Sequence, residues 1–372
     1  MEFYFAIAGV FFLNAFLSAD SVLNKERMIR GLFQLNYVYL CIALVVIGGC
    51  RWVTGTDWLP YYRYFVGFST WREFNNGTFE VLYALLNFIV KCFSSSYTAF
   101  LLVLHGLTVL LKSKIIARYA FLPGFVLFLF YCQSVGDIFA VRQTLSIAVL
   151  FFSLKAIKEK KKFAFVLITT LAMMIHNASV IWFLAYAIFW KRLRTSRIYI
   201  AFFICFAVGL FSQKIYGTVI PVILSPFSTK IRMVGKLLVY ATGAASSSFS
   251  MHTVLSLAKR IIFVPLFLLI RKKERNNEFY CGVLNLWIFG TLVYLLFSNS
   301  LNVFQRMTTP FVSLEIFLLP YILRNVKSCV KPVCFLLICL YALSKLVSAL
   351  NAYPDLYMPY YSIFHYENRG MY

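Results

Sequence analysis

Apolar runs separated by short basic clusters organise this chain. The runs fall at 3–17, 33–50, 97–111, 119–133, 135–154, 163–175, 178–190, 198–212, 254–270, 279–297, 308–323 and 333–350. Most approach or exceed the roughly 17–25 residues a bilayer span needs. The clusters at 25–30, 112–118, 155–162, 191–197, 271–277 and 324–331 carry Lys and Arg, which places them in the cytoplasm. Alternation then puts both termini outside, with outer-face loops at 51–77 and 213–252 and an outer tail from 351. The run at 79–93 differs. Glu80, Tyr83, Asn87 and Lys91 recur at helical spacing on one face, so it is expected to lie in the interface. The short runs at 163–175 and 178–190 predict a tight hairpin tipped by His176 and Asn177.

Composition narrows the class. Hydrophobic residues make up 61% of the 372, only 13% are charged, and mean hydropathy is +0.79. A water-soluble domain cannot hide that much apolar surface, and a β-barrel would show short alternating segments instead of continuous runs. The expectation is an all-α polytopic membrane protein forming one integral membrane domain over 1–372. It has about 12 transmembrane helices, one long outer loop and one interfacial helix. The first run lacks a basic start and a small-residue cleavage site, so it reads as a span, not a signal peptide. The net charge of +23 lies mostly in the cytoplasmic loops, so nucleic acid is not an expected partner. The nine cysteines include no CxxC and sit mostly in apolar runs, where they read as small buried hydrophobes.

Topology leaves a residue set that positive-inside bias does not explain. Arg51, Asp57, Arg63, Arg72, Arg142, His176, Lys214, Lys230, Arg232, Lys236, Arg306 and Arg369 fall toward the outer face. Cations there point to an anionic partner, and the planar fork of arginine suits phosphate or carboxylate. Arg142 follows Asp137 by five residues, which is not a helical pairing distance; Asp137 reads as a possible helix-start residue. A structural ion pair or a snorkelling side chain is the plain alternative for Arg142. His176 reads either as a proton-transfer group or as a hydrogen-bonded core histidine. Trp52, Trp58, Tyr61 and Tyr62 could stack on sugar rings or form an interfacial aromatic belt. There is no P-loop, HExxH, GxSxG or outer DxD pair. Outer carboxylates, Glu80 among them, are scattered, so neither a metal nor another cofactor is expected.

The order of short motifs resembles the EpsG family of Wzy-like bacterial polysaccharide polymerases. Arg51 leads into Gly55–Thr56–Asp57. Phe79, Glu80, Tyr83, Leu86 and Asn87 follow as F-E-x-x-Y-x-x-L-N. Arg142, Gln143, Leu145 and Ala148 form R-Q-x-L-x-x-A, and His176 with Ser179 forms H-x-x-S. Arg306 and Pro359–Tyr360–Tyr361 complete the set. The resemblance implies a glycosyl transfer between undecaprenyl-pyrophosphate-linked oligosaccharide repeat units at the outer face of the bacterial inner membrane. Polyprenyl pyrophosphate is the leaving group, and no cofactor is needed. On that basis Arg142, His176 and Asp57 are the catalytic candidates. Arg51, Gln143, Arg306, Trp58, Tyr61 and Tyr360 are the substrate-binding candidates. The lipid bilayer, a chain-length regulator and a flippase of the same pathway are the implied partners. Two other readings stand beside it: a flippase or exporter of lipid-linked oligosaccharide, and an O-antigen ligase. The flippase reading calls for charges along the spans and two repeated halves, and no internal repeat is visible.

Overall fold

Apolar sequence with few Gly and Pro interruptions forms helix, and the described residues are helical almost throughout. The computed structural model describes residues 1–24, 27–214, 251–297 and 302–364. The greater part of the expected outer loop 213–252, with Lys230, Arg232 and Lys236, lies outside them, as do Arg369 and the side chains of Asp137 and Lys214. The chain divides into two units, Met1–Phe183 with Leu319–Tyr372, and Leu184–Leu318.

The first unit begins with α1 (Glu2–Asn24) and α2 (Arg27–Gly49). The outer loop then folds into α3 (Trp58–Gly67) and α4 (Trp71–Phe74), followed by α5 (Val81–Phe93) and α6 (Tyr97–Tyr119). Next come α7 (Pro123–Phe139), α8 (Arg142–Lys158) and α9 (Lys162–Ile175), then a 3-10 segment, Asn177–Leu184. α1 packs on α7, α2 on α6, and α8 on both α6 and α9. Close approach of α2 and α6 needs small residues: a Cβ on Gly49 would lie 2.4 Å from Leu102 Cδ2, and one on Gly48 2.7 Å from the His105 ring.

The second unit contains α10 (Ala185–Phe189), α11 (Thr195–Lys214), α12 (Met251–Lys273), α13 (Glu278–Leu296), α14 (Asn302–Val312) and α15 (Glu315–Leu318). α13 is its centre, touching each of the other five. The chain returns to the first unit through α16 (Pro320–Asn325), α17 (Lys331–Leu350) and α18 (Pro354–Tyr357).

Three helices among the described residues are long and apolar enough to cross a membrane: Tyr97–Tyr119, Glu278–Leu296 and Ser328–Leu350. Shorter apolar helices coincide with most of the other expected apolar runs. Three expectations change. The run at 135–154 is not one helix: Val135–Phe139 ends α7, the chain breaks at Ala140–Val141, and Arg142 opens α8. Asp137 therefore belongs to the last turn of a helix and not to a helix start. The run at 308–323 is interrupted after Val312 and after Leu318, with Pro310 inside α14 and Pro320 opening α16, so Arg306 lies within α14 instead of before a span. Finally, α5 is short, about 20 Å, as an interfacial helix should be, but its polar face is turned inward. Tyr83 and Asn87 are buried, while Val81, Ile89 and Phe93 face outward, the arrangement that suits a lipid surrounding.

Candidate functional site

Three backbone interruptions in the first unit bring chemistry together. Glu80 is the extended residue before α5, Arg142 is the first residue of α8, and His176 is extended between α9 and the 3-10 segment. Glu80 Oε2 pairs with Arg142 Nη1. Its other oxygen, Oε1, accepts from the Asn177 backbone N–H at 3.2 Å and lies 3.7 Å from His176 Nδ1. Arg142 Nε donates to the Tyr61 hydroxyl at 2.9 Å. The guanidinium also sits 4.4 Å from the Phe79 ring centroid, 5.5 Å from Tyr61 and 5.9 Å from Tyr83. These rings favour the cation by their quadrupoles and limit how far it swings.

Burial alone would raise the Glu80 carboxyl. The neighbouring His176 imidazole and the Arg142 guanidinium more than offset that and hold it at about 2. Burial raises the Tyr61 phenol above its ordinary value, so it meets the arginine as a neutral hydroxyl. The side chains of Arg142 and His176 keep 20% and 25% exposure, enough for a ligand to reach them.

The H-x-x-S spacing has a structural reason. Ser179 is buried and hydrogen-bonds Ser146, one turn along α8 from Arg142. Ser146 also donates to the Ala172 carbonyl at 3.2 Å, and Trp182 Nε1 donates to Ser153 Oγ at 2.9 Å. The arm after His176 is thereby stitched to α8, which sets the histidine beside the Glu80–Arg142 pair.

Other expected site residues are placed differently. Arg51 is fully buried, and its Nη1 donates to the Phe139 carbonyl at 2.6 Å and the Thr54 carbonyl at 3.3 Å. Phe139 ends α7, so Arg51 caps a helix C-terminus where carbonyls lack partners and positive charge is favoured. Gly55 adopts φ +113°, and a Cβ there would lie 3.0 Å from Arg51 Nη1, so the turn tolerates little else. Trp58 is 1% exposed and stacks on Tyr62 at 4.7 Å with Trp52 and Tyr97 against its edges, so its faces are covered by protein. Tyr360 stacks on Phe3 at 4.4 Å and donates to the Ile47 carbonyl at 2.7 Å. Asp57 is exposed just before α3 and makes no side-chain cap. Gln143 follows Arg142 on α8 and is half-buried. Arg306 is exposed on α14 of the second unit.

The tail closes over the loop. Arg51 and Ser362 form an antiparallel bridge, Trp52 N donates to the Tyr361 carbonyl at 2.9 Å, and Gly55 N to the Leu356 carbonyl at 2.9 Å. The first and last motifs of the resemblance are therefore one structural feature.

A family model, EpsG family, matches residues 34–362. The chain belongs to the EpsG family. EpsG proteins are Wzy-like polysaccharide polymerases, and membership together with the apolar helices makes this a multi-pass membrane protein of polysaccharide biosynthesis. No curated protein and no solved structure matches it. All the motif residues quoted above fall inside the matched range. Glu80 is the site residue that sequence reasoning left among the scattered acids, although the motif F-E-x-x-Y contains it. Sequence reasoning also passed over buried charge in the second unit of this EpsG-family chain. Lys259 Nζ lies 2.7 Å from Glu315 Oε2, and the Arg260 guanidinium lies 3.6 Å from the Tyr294 centroid.

Proposed function

We propose that this EpsG-family protein polymerises undecaprenyl-pyrophosphate-linked oligosaccharide repeat units of an O-antigen, capsule or exopolysaccharide, at the outer face of the bacterial inner membrane. The observation that carries the reading is the Arg142 guanidinium, fixed by Glu80 and Tyr61 inside an aromatic ring set, with His176 beside the same carboxylate. The reaction needs little more: two lipid-linked substrates held together, charge neutralised on a departing pyrophosphate, and a proton removed from one hydroxyl. Arg142 is assigned to the pyrophosphate, with Gln143 beside it on α8. Tyr61 positions Arg142. Arg51, Trp58 and Tyr360 are assigned to supporting the outer loop: Arg51 Nη1 caps α7, Trp58 is packed among aromatic rings, and Tyr360 is bonded to the end of α2.

The test is the glycan ladder of a strain lacking this protein. A polymerase deletion leaves single repeat units. Accumulation on the cytoplasmic face of the membrane would favour a flippase, and long chains retained on carrier lipid would favour a ligase. Unchanged chain length overturns the proposal. Arg142→Ala is expected to abolish polymer while the protein still inserts normally, and Arg142→Lys to restore it poorly, because a lysine cannot reproduce the two-pronged contact.

A further inference from the structure

Resting on the polymerase reading above, the geometry assigns Glu80 as the positioning residue that holds His176 with its hydrogen on Nδ1, leaving Nε2 as the base for the acceptor hydroxyl. His176 Nδ1 is buried beyond hydrogen-bond distance of any acceptor, and Glu80 Oε1 lies 3.7 Å from it. A lone pair facing a carboxylate would set two acceptors against each other, so the nitrogen facing Glu80 carries the hydrogen. The 25% of the side chain that remains exposed therefore belongs to other ring atoms. Such contacts are often long before substrate binds and tighten afterwards. Glu80 is well suited to the task. Arg142 and the Asn177 N–H anchor it from two sides, and it stays anionic at any working pH. Asp57, the other candidate base, is exposed, and its side chain makes no cap bond to α3.

The step balances without a co-reactant. His176 Nε2 takes the proton of the acceptor hydroxyl, and that oxygen forms a bond to the anomeric carbon of the donor glycan. The bond from that carbon to the pyrophosphate oxygen breaks, and its electron pair leaves with polyprenyl pyrophosphate beside Arg142. The imidazolium, stabilised by Glu80, then releases its proton to water.

The experiment uses the purified full chain in liposomes with lipid-linked repeat units extracted from the deletion strain. Glu80→Gln keeps the shape and one acceptor oxygen but removes the charge. Its kcat is expected to fall roughly 10²–10⁴-fold with KM changed by less than about threefold. The double variant Glu80→Gln/His176→Gln is expected to lose clearly less than the product of the two single losses, because the two residues share the proton-transfer step while Glu80 also holds Arg142. A rise in KM with kcat retained, or additive losses in the double variant, overturns the inference. If Glu80→Gln does not elute as the wild type does, Glu80→Asp decides between the same two outcomes, since it keeps the anion and shortens its reach. Failure of the wild type to lengthen the units would overturn the polymerase reading instead, which separates the two failures.

Discussion

Glu80 joins three groups through two oxygens, and its energetics follow from that. Charge-assisted hydrogen bonds are about twice as strong as neutral ones, and here the guanidinium is also boxed by Phe79, Tyr61 and Tyr83. Breaking such a pair from one side strands the other charge, which costs more than the pair contributes net. A pH dependence follows. The unfolded carboxyl titrates near about 4.3, whereas the folded one is held at about 2. A depressed folded value means the stabilisation is complete above the unfolded value and is lost as pH falls through the folded one. The Tm gap between wild type and Glu80→Gln in detergent should shrink as pH falls below about 4. A gap that keeps widening below about pH 4 would contradict this. Arg142 and His176 were legible because charge inside an apolar run stands out. Glu80 stood out at helical spacing and in F-E-x-x-Y, but not as their partner, because it precedes α5 and helical-face periodicity does not govern where an extended residue points.

At the scale of elements, the break between α7 and α8 brings Arg142 to Glu80. Hydropathy runs unbroken through Phe139, Ala140 and Val141, so the pattern predicts one helix. What ends α7 is visible only in space: Arg51, 88 positions earlier, donates to the Phe139 carbonyl that a continuing helix would have used. Freed from α7, Arg142 becomes the first residue of α8 and reaches Glu80. Arg51→Met keeps most of the volume and removes the donors. It should lower stability by about 1–3 kcal/mol through the orphaned carbonyl, read as a fall in Tm. It should also weaken polymer formation, because Arg142 loses its fixed start. Unchanged Tm would show that the cap contributes nothing. α5 teaches a related lesson. The helical spacing of Tyr83 and Asn87 was plain in the sequence, but which way that face turns depends on what surrounds the helix.

On the scale of the whole molecule, the two chain ends of the matched region close on each other. Backbone hydrogen bonds from Cys50 to Gly55 meet residues Leu356 to Ile363, and Tyr360 reaches the end of α2 through the Ile47 carbonyl. The tail therefore seals Arg51 from water, which keeps its bond to α7 strong in a low-dielectric setting. Deleting residues 351–372 should leave insertion intact, since it removes no span, and abolish polymer. Wild-type ladders from that truncation would show the strap to be dispensable. Composition, hydropathy and basic loops were enough to establish a polytopic helical membrane protein, because lipid permits few ways to satisfy a backbone. Motif order was enough to place it in its family. Neither could say that Glu80 meets Arg142 and His176, or that Arg51 donates to the end of α7. Those are contacts between residues 62 to 97 positions apart, formed where helices stop. Periodicity describes how helices run, whereas the chemistry here lies where they break.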